Sequence, residues 1–224
     1  MKEDMEYQKA INYIIGLIKE GTLYVESKIP SERDIAKNVG IGRSSTREAI
    51  SILRGMGLIE SRHGSGNYIS KDCDKAIKQM ITVMLALGSI TTKDIIEFRR
   101  IMAVSVCQML IKDNSLNEEE NIKNILEEMR GADAEKLSML DYSFHVALIK
   151  STNNSLFMTV MEAVAGVYQD MISELNHMLD EQAKQEFINI HNIIFKSIVD
   201  KDEETCLMYI NKHYDLTEEK MVNL

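Results

Sequence analysis

The chain has 224 residues, 45% of them hydrophobic and 27% charged, an ordinary globular composition that is long enough for two domains with separate cores. No apolar run approaches the ~18 residues of a membrane span, and the start MKEDMEYQKA is too acidic and polar for a signal peptide. Cys73, Cys107 and Cys206 form no CxxC pair, which argues against a disulfide framework or zinc knuckle and fits a reducing cytoplasm.

In the first part of the chain, Ile11, Ile14, Ile15 and Ile18 recur at helical spacing and predict a helix that stops at Gly21. Pro30 then leads into Ser31-Glu32-Arg33-Asp34. Ser31 can cap the leading amides of a short helix over about 31–38, and Asp34 can reach back to it. Gly40 supplies a tight turn. A second short helix starts near Gly42 or Arg43, with Ala49, Ile50, Leu53 and Met56 as its buried stripe, and the pair reads as a helix-turn-helix. Residues 58–62 and 67–70 flank His63-Gly64-Ser65-Gly66 and read as a two-stranded hairpin, a wing.

Eight of the eleven glycines and the single proline lie in residues 1–66, whereas the remainder carries long helical patterns. The shift predicts a boundary in 71–75, with one domain over 1–71 and another over 75–224. Helices are expected at about 75–87, 93–112, 118–130, 134–150, 155–178, 182–200 and 203–219, with caps at Thr92, Asn117, Asp133 and Asn154 or Ser155. Phe157, Val160, Met161, Val164, Val167, Tyr168, Met171 and Leu175 keep a helical period and read as core. The expected fold is mainly α: an N-terminal winged helix-turn-helix with a small β-hairpin wing, then an all-α bundle of six to seven helices.

The net charge of −9 is unevenly spread. Residues 1–72 hold 11 basic and 10 acidic side chains, residues 73–224 hold 15 and 25, and Lys28–Lys71 alone holds eight against four. That local excess can attract phosphates. A recognition helix docks its N-terminal residues in the major groove, and here these are Arg43, Ser44, Ser45, Thr46 and Arg47. Arg43 and Arg47, four apart, share a face, and arginine can grip guanine through two hydrogen bonds. Arg33 on the preceding helix and His63, Gly64, Ser65 and Gly66 on the wing tip are placed for backbone or minor-groove contacts.

The stretch IPSERDIAKNVGIGRSSTREAISILRGMGLIESRHGSGNYI resembles the N-terminal pattern of the GntR family of bacterial transcription regulators. The resemblance implies that Arg33, Arg43 and Arg47 contact DNA and that His63 to Gly66 form the wing tip. Gly42 departs from the family, which usually has Ser or Thr there, and the missing cap implies weaker operator affinity. One helix-turn-helix reads only a half-site, so a homodimer on a palindromic operator is expected.

Asp141 and His145 lie four apart on one predicted helix and share a face, and His191 and His213 lie on the last two predicted helices. If the bundle closes around the Asp141 face, a carboxylate and three imidazoles converge, a set suited to zinc or another divalent transition metal. Spacing alone leaves open that these histidines are ordinary packed residues, as His177 is taken to be. The helical domain also resembles the FCD-type effector domain of the FadR-like branch, whose metal-binding version carries D-x-x-x-H and one histidine on each of two later helices. The resemblance implies a metal on Asp141, His145, His191 and His213, zinc first with nickel or manganese as alternatives.

It further implies an effector contact at Arg99, with Arg100 as the adjacent alternative. Ala103 replaces the family glutamate and leaves Arg99 available to a ligand carboxylate. The expected function is therefore an effector-responsive repressor, in the cytoplasm, that binds operator DNA and a small organic or sugar acid. The alternatives are the same regulator with a metal-free pocket, or a metal-dependent enzyme, against which stands the lack of an HExxH-like motif.

Overall fold

The computed structural model describes residues 5–71, 74–113, 116–177 and 181–221, and for residues 74, 168–177 and 219–221 the backbone alone. Cys73 and the side chains of Tyr168, Met171, Leu175 and His177 thus lie outside the described residues. The chain divides into two compact units, Met1–Ile77 and Lys78–Leu224. Among the described residues no helix is long and apolar enough to cross a membrane.

The first unit contains α1 (Glu6–Lys19), α2 (Glu32–Val39), α3 (Arg43–Gly55), β1 (Ile59–Arg62) and β2 (Gly66–Ile69). Ser31 caps α2 by accepting from the Asp34 N–H, and its own hydroxyl donates to the Asp34 carboxylate at 2.6 Å. Gly40 closes the helix at φ 72°, the left-handed conformation that costs glycine least. Ala10, Ile11 and Ile14 of α1, Ile35 of α2, Ala49, Ile50 and Leu53 of α3, and Ile59 of β1 form one core. Met56 does not join it. It sits at the C-cap of α3 and is 56% exposed, because the helical stripe ends one turn earlier at Leu53.

β1 and β2 pair antiparallel from Ile59–Ile69 to Arg62–Gly66. The sequence reading missed a third segment. Glu26 and Ile29 donate to the Ile69 and Asn67 carbonyls, and Ile69 donates to Ser27, so the chain before α2 braces the hairpin from its other side. That pairing satisfies edge groups a two-stranded ribbon would leave open.

The second unit is helical throughout, with α4 (Asp74–Ala86) starting in the first unit, then α5 (Thr92–Asp113), α6 (Glu119–Met129), α7 (Ala134–Ser151), α8 (Ser155–His177), α9 (Glu181–Asp200) and α10 (Glu203–Met221). Asp133 caps α7 through the Lys136 N–H, and Asn154 caps α8 through the amides of Leu156 and Phe157. Two caps differ from expectation. At α5 the cap is Thr91, in a reciprocal exchange with Asp94, one residue ahead of Thr92. At α6 Glu118 holds the cap position without a side-chain cap, and its N–H donates to the Ser151 hydroxyl on α7 rather than to Asn117.

A single core runs through this unit, including Ile96, Val106 and Leu110 of α5, Phe144 and Leu148 of α7, Ile190 and Ile194 of α9, and Ile210 and Tyr214 of α10. Cys107 and Cys206 meet inside it as free thiols, and their mutual hydrogen bond together with burial pushes the Cys107 thiol well up. α9 and α10 form a hairpin that turns at Lys201 (φ 59°) and Asp202, whose carboxylate caps α10 through Thr205 N–H. His191 and His213 stand nearly equidistant from that turn along the two arms, so a rise of ~1.5 Å per residue brings them to one level.

Candidate functional site

The exposed edge of α3 and the wing tip carry most of the residues expected at DNA. Arg33, Arg43, Ser44 and Arg47 are exposed, Ser45 is half-buried, and His63, Gly64, Ser65 and Gly66 are exposed at the tip. Thr46 is a correction. It is 0% exposed, and its hydroxyl donates to the Gly42 carbonyl at 3.1 Å, so it secures the first turn of α3 instead of facing outward. One residue in a recognition helix must point to the core at each turn, and Thr46, three before Ala49, falls on that stripe.

Arg47 is held from α2: its guanidinium donates to the Glu32 carboxylate through Nε at 3.2 Å and Nη2 at 3.1 Å. The pair is on the surface, where such bonds are weak and exchange readily for stronger anions. Sequence periodicity gives no signal for it, since Glu32 and Arg47 lie on different helices. The wing is stiffened in a way also missed: Arg62 lies 4.3 Å over the Tyr68 ring and bridges Glu60 and Glu26, and Ser65 and Tyr68 share a 2.6 Å hydroxyl contact. Positive φ at Gly64 (70°) and Gly66 (119°) makes the tip turn possible.

In the second unit, Asp141 and His145 project from one face of α7, His191 from α9 and His213 from α10, and all four are buried. One ligand atom from each lies within 4.8 Å of every other. His191 Nε2 is 2.9 Å from Asp141 Oδ1, His145 Nε2 is 3.3 Å from His213 Nε2, and these last two are 3.6 and 3.8 Å from the same carboxylate oxygen. Phe144 and Phe187 pack against the imidazoles with ring centroids 4.9 and 4.6 Å from His191. Burying Phe144 there contributes roughly 1.5–3 kcal/mol and fixes ring orientation.

His191 Nδ1 lies 2.8 Å from the Phe187 carbonyl, which can only accept, so Nδ1 carries a proton and Nε2 is the nitrogen that faces the cluster. Nε2 and the Asp141 carboxylate meet at 2.9 Å, where they either share a proton or, as two ligands, hold a cation. Burial would push the Asp141 carboxyl up, but the facing imidazoles of His145 and His191 overcome this and hold it well below the usual carboxylate range. Burial pushes His145 down and His213 well down, the latter reinforced by His191. An ionised carboxylate beside imidazoles held neutral, as burial holds His145 and His213, is the protonation state a divalent transition metal requires. Among the described residues, His213 Nδ1 and the Tyr214 hydroxyl, both buried, have no hydrogen-bond partner.

Arg99 and Arg100 separate cleanly. Arg99 is 4% exposed, engaged by its surroundings, and close enough to influence His145, His213 and Tyr214 electrostatically. Arg100 bonds Asp215 at 2.6 Å and Glu218 at 3.2 Å on the outer side of α10. Arg99 thus lies within the buried cluster, whereas Arg100 reaches its edge, 5.8 Å from the Tyr214 ring. Tyr214, which the sequence reading did not single out, joins it with its ring 4.9 Å from His213, and burial pushes its hydroxyl up to about 12.

Comparison with known proteins is consistent with both units. The family model described as "Bacterial regulatory proteins, gntR family" matches residues 6–69, and the one described as "FCD domain" matches residues 94–216. The HTH-type transcriptional regulator LutR of Bacillus subtilis is 29% identical over 160 residues, 70% of this chain and 73% of that one. The Exu regulon transcriptional regulator of Escherichia coli is 22% identical over 219 residues, 97% and 84% of the two chains. Among solved structures, a GntR protein of Streptococcus agalactiae superposes with TM-score 0.71 at 21% identity over 96% of this chain and 99% of that one, a likeness of fold alone.

Proposed function

Because this chain belongs to the GntR family, a DNA-binding transcription regulator with an FCD domain and not an enzyme, we propose that it is a homodimeric repressor gated by a metal-centred effector pocket. Residues 1–71 form the DNA-binding domain and 75–224 the effector and dimerisation domain. Arg43, Ser44, Ser45 and Arg47 read the major groove of a palindromic operator, Arg33 holds the backbone, and His63, Gly64, Ser65 and Gly66 enter at the wing. The protein works in the cytoplasm.

Asp141, His145, His191 and His213 hold the metal, zinc before nickel or manganese. The observation that carries this is the buried convergence of four ligand atoms within 4.8 Å of one another, with His191 Nε2 2.9 Å from Asp141 Oδ1 and its other nitrogen committed to the Phe187 carbonyl. A divalent ion bound there supplies positive charge and open coordination positions for a small organic or sugar acid. Arg99 completes carboxylate recognition by a two-pronged contact, and the Tyr214 hydroxyl donates to the same ligand. Ligand binding differs between two dimer geometries and so sets the spacing of the two recognition helices.

A thermal-shift screen of small carboxylates and sugar acids, with and without added zinc, tests the pocket. A ligand that binds only the folded state raises the melting temperature. An acid whose shift depends on metal supports the reading, and shifts indifferent to metal favour a metal-free pocket.

A further inference from the structure

The recognition helix α3 begins at Gly42, whose extended backbone carries no side chain to cap it. Its first amides therefore lack helical partners, and the positive end of the helix dipole is uncovered. α1 fills the gap. Glu6, the first residue of α1, accepts from the Ser45 hydroxyl at 2.7 Å, and the same oxygen, Oε2, lies 3.8 Å from where a Cβ on Gly42 would stand. A carboxylate from elsewhere in the unit thus sits over the opening turn of the recognition helix. It occupies the hydroxyl of a residue on the DNA-facing edge.

That position is where a helix N-terminus takes a phosphate. A carboxylate and a phosphate cannot both hold it without like-charge repulsion. Glu6 is exposed and terminal in its helix, so it can be displaced at low cost. We propose that Glu6 is an affinity-limiting residue of the DNA interface: its carboxylate stands in for a DNA phosphate at the start of α3, and DNA must displace it to engage Ser45 and the helix end. The penalty is electrostatic and independent of base sequence. It therefore acts alike on specific and non-specific duplexes, and it weakens as salt rises.

The test uses the full-length protein and two duplexes, one from the region upstream of its own gene and one of mixed sequence. Glu6→Gln keeps an acceptor for Ser45 and removes the charge, and Glu6→Ala removes both. Both variants are expected to bind each duplex about 3–10-fold tighter than the parent at ~50 mM salt, with the advantage shrinking by ~200 mM as the slope of affinity against salt steepens by about one. The melting temperature of Glu6→Ala falls by about 1–3 °C, since the Ser45 hydroxyl loses its acceptor and the helix end a facing carboxylate. Equal or weaker binding by Glu6→Gln, with the fold intact by circular dichroism, overturns the proposal and leaves Glu6 a structural cap.

Discussion

His191 Nε2 faces Asp141 Oδ1 at 2.9 Å while His191 Nδ1 is committed to the Phe187 carbonyl at 2.8 Å. The carbonyl takes the Nδ1 hydrogen bond and so turns Nε2 toward the carboxylate. Such a backbone carbonyl behind a histidine is the outer support that metal-ligating imidazoles ordinarily have.

Acid should destabilise the metal-free protein. Burial keeps His145 and His213 below their ordinary range, while the same residues in the unfolded chain take up protons near pH ~6.5. Below that pH the unfolded state binds more protons than the folded one, so stability falls on acidification by up to about 1.4 kcal/mol per pH unit for each histidine. Asp141, whose folded carboxyl is depressed, adds a further loss only below about pH 4. Metal-stripped protein should melt lower at about pH 5.5 than at about pH 7.5, and His145→Leu should flatten that dependence. A melting temperature that does not change over this range would mean the imidazoles are not held neutral.

Tyr214→Phe separates a ligand contact from a packing role. Tyr214 is 1% exposed, and its hydroxyl has no acceptor among the described residues. Removing it should leave the unliganded fold as stable or up to about 1 kcal/mol more stable, because an unsatisfied buried group disappears. A carboxylate found to stabilise the parent should then stabilise the variant less, with metal content unchanged. A clear drop in the melting temperature without ligand would show that the hydroxyl already has a partner.

For DNA, Arg47 is the side chain whose loss should cost most. Its bond to Glu32 is exposed and replaceable, and on the groove face a bidentate contact carries about 1–3 kcal/mol of base discrimination. Arg47→Ala should lose selective binding to the upstream region of the gene, whereas Arg100→Ala, which breaks surface pairs on α10, should not. Gel-shift titrations at several salt concentrations distinguish the two, and retained selectivity in Arg47→Ala with the same salt dependence would count against the groove assignment.

The helices of the second unit were legible in the sequence to within a few residues, because their apolar periods are long and their starts carry Asp133, Asn154 and a threonine. The cap shifted from Thr92 to Thr91 because Asp94 can return a bond only to the earlier threonine. Thr46 was misplaced for the opposite reason: its neighbours Ser44 and Ser45 look alike in composition, and only the phase set by Ala49 and Leu53 shows that it points inward. The Asp141 and His145 pair was readable from a spacing of four, whereas its meeting with His191 and His213 required the α9–α10 hairpin. Glu6, Glu32 and Tyr214 left no local signal. Each acts on a residue of another helix, and one-dimensional periodicity does not record such pairings.

His191→Ala should dissociate effector response from DNA binding. The substitution removes a fully buried ring, so a loss of about 1–3 kcal/mol of stability is expected. Yet the first unit keeps its own core. DNA affinity measured without ligand should stay within a few fold of the parent, and the ligand-dependent change should vanish. If DNA binding disappears with it, the metal centre is structural and not regulatory.

The most direct measurement is the metal content of the protein after mild purification, by plasma mass spectrometry, beside that of Asp141→Ala. The account predicts about one equivalent of a divalent transition metal per chain, removable by chelator and restored by added zinc, and near zero in the variant. A parent protein that carries no stoichiometric metal and rebinds none would contradict it.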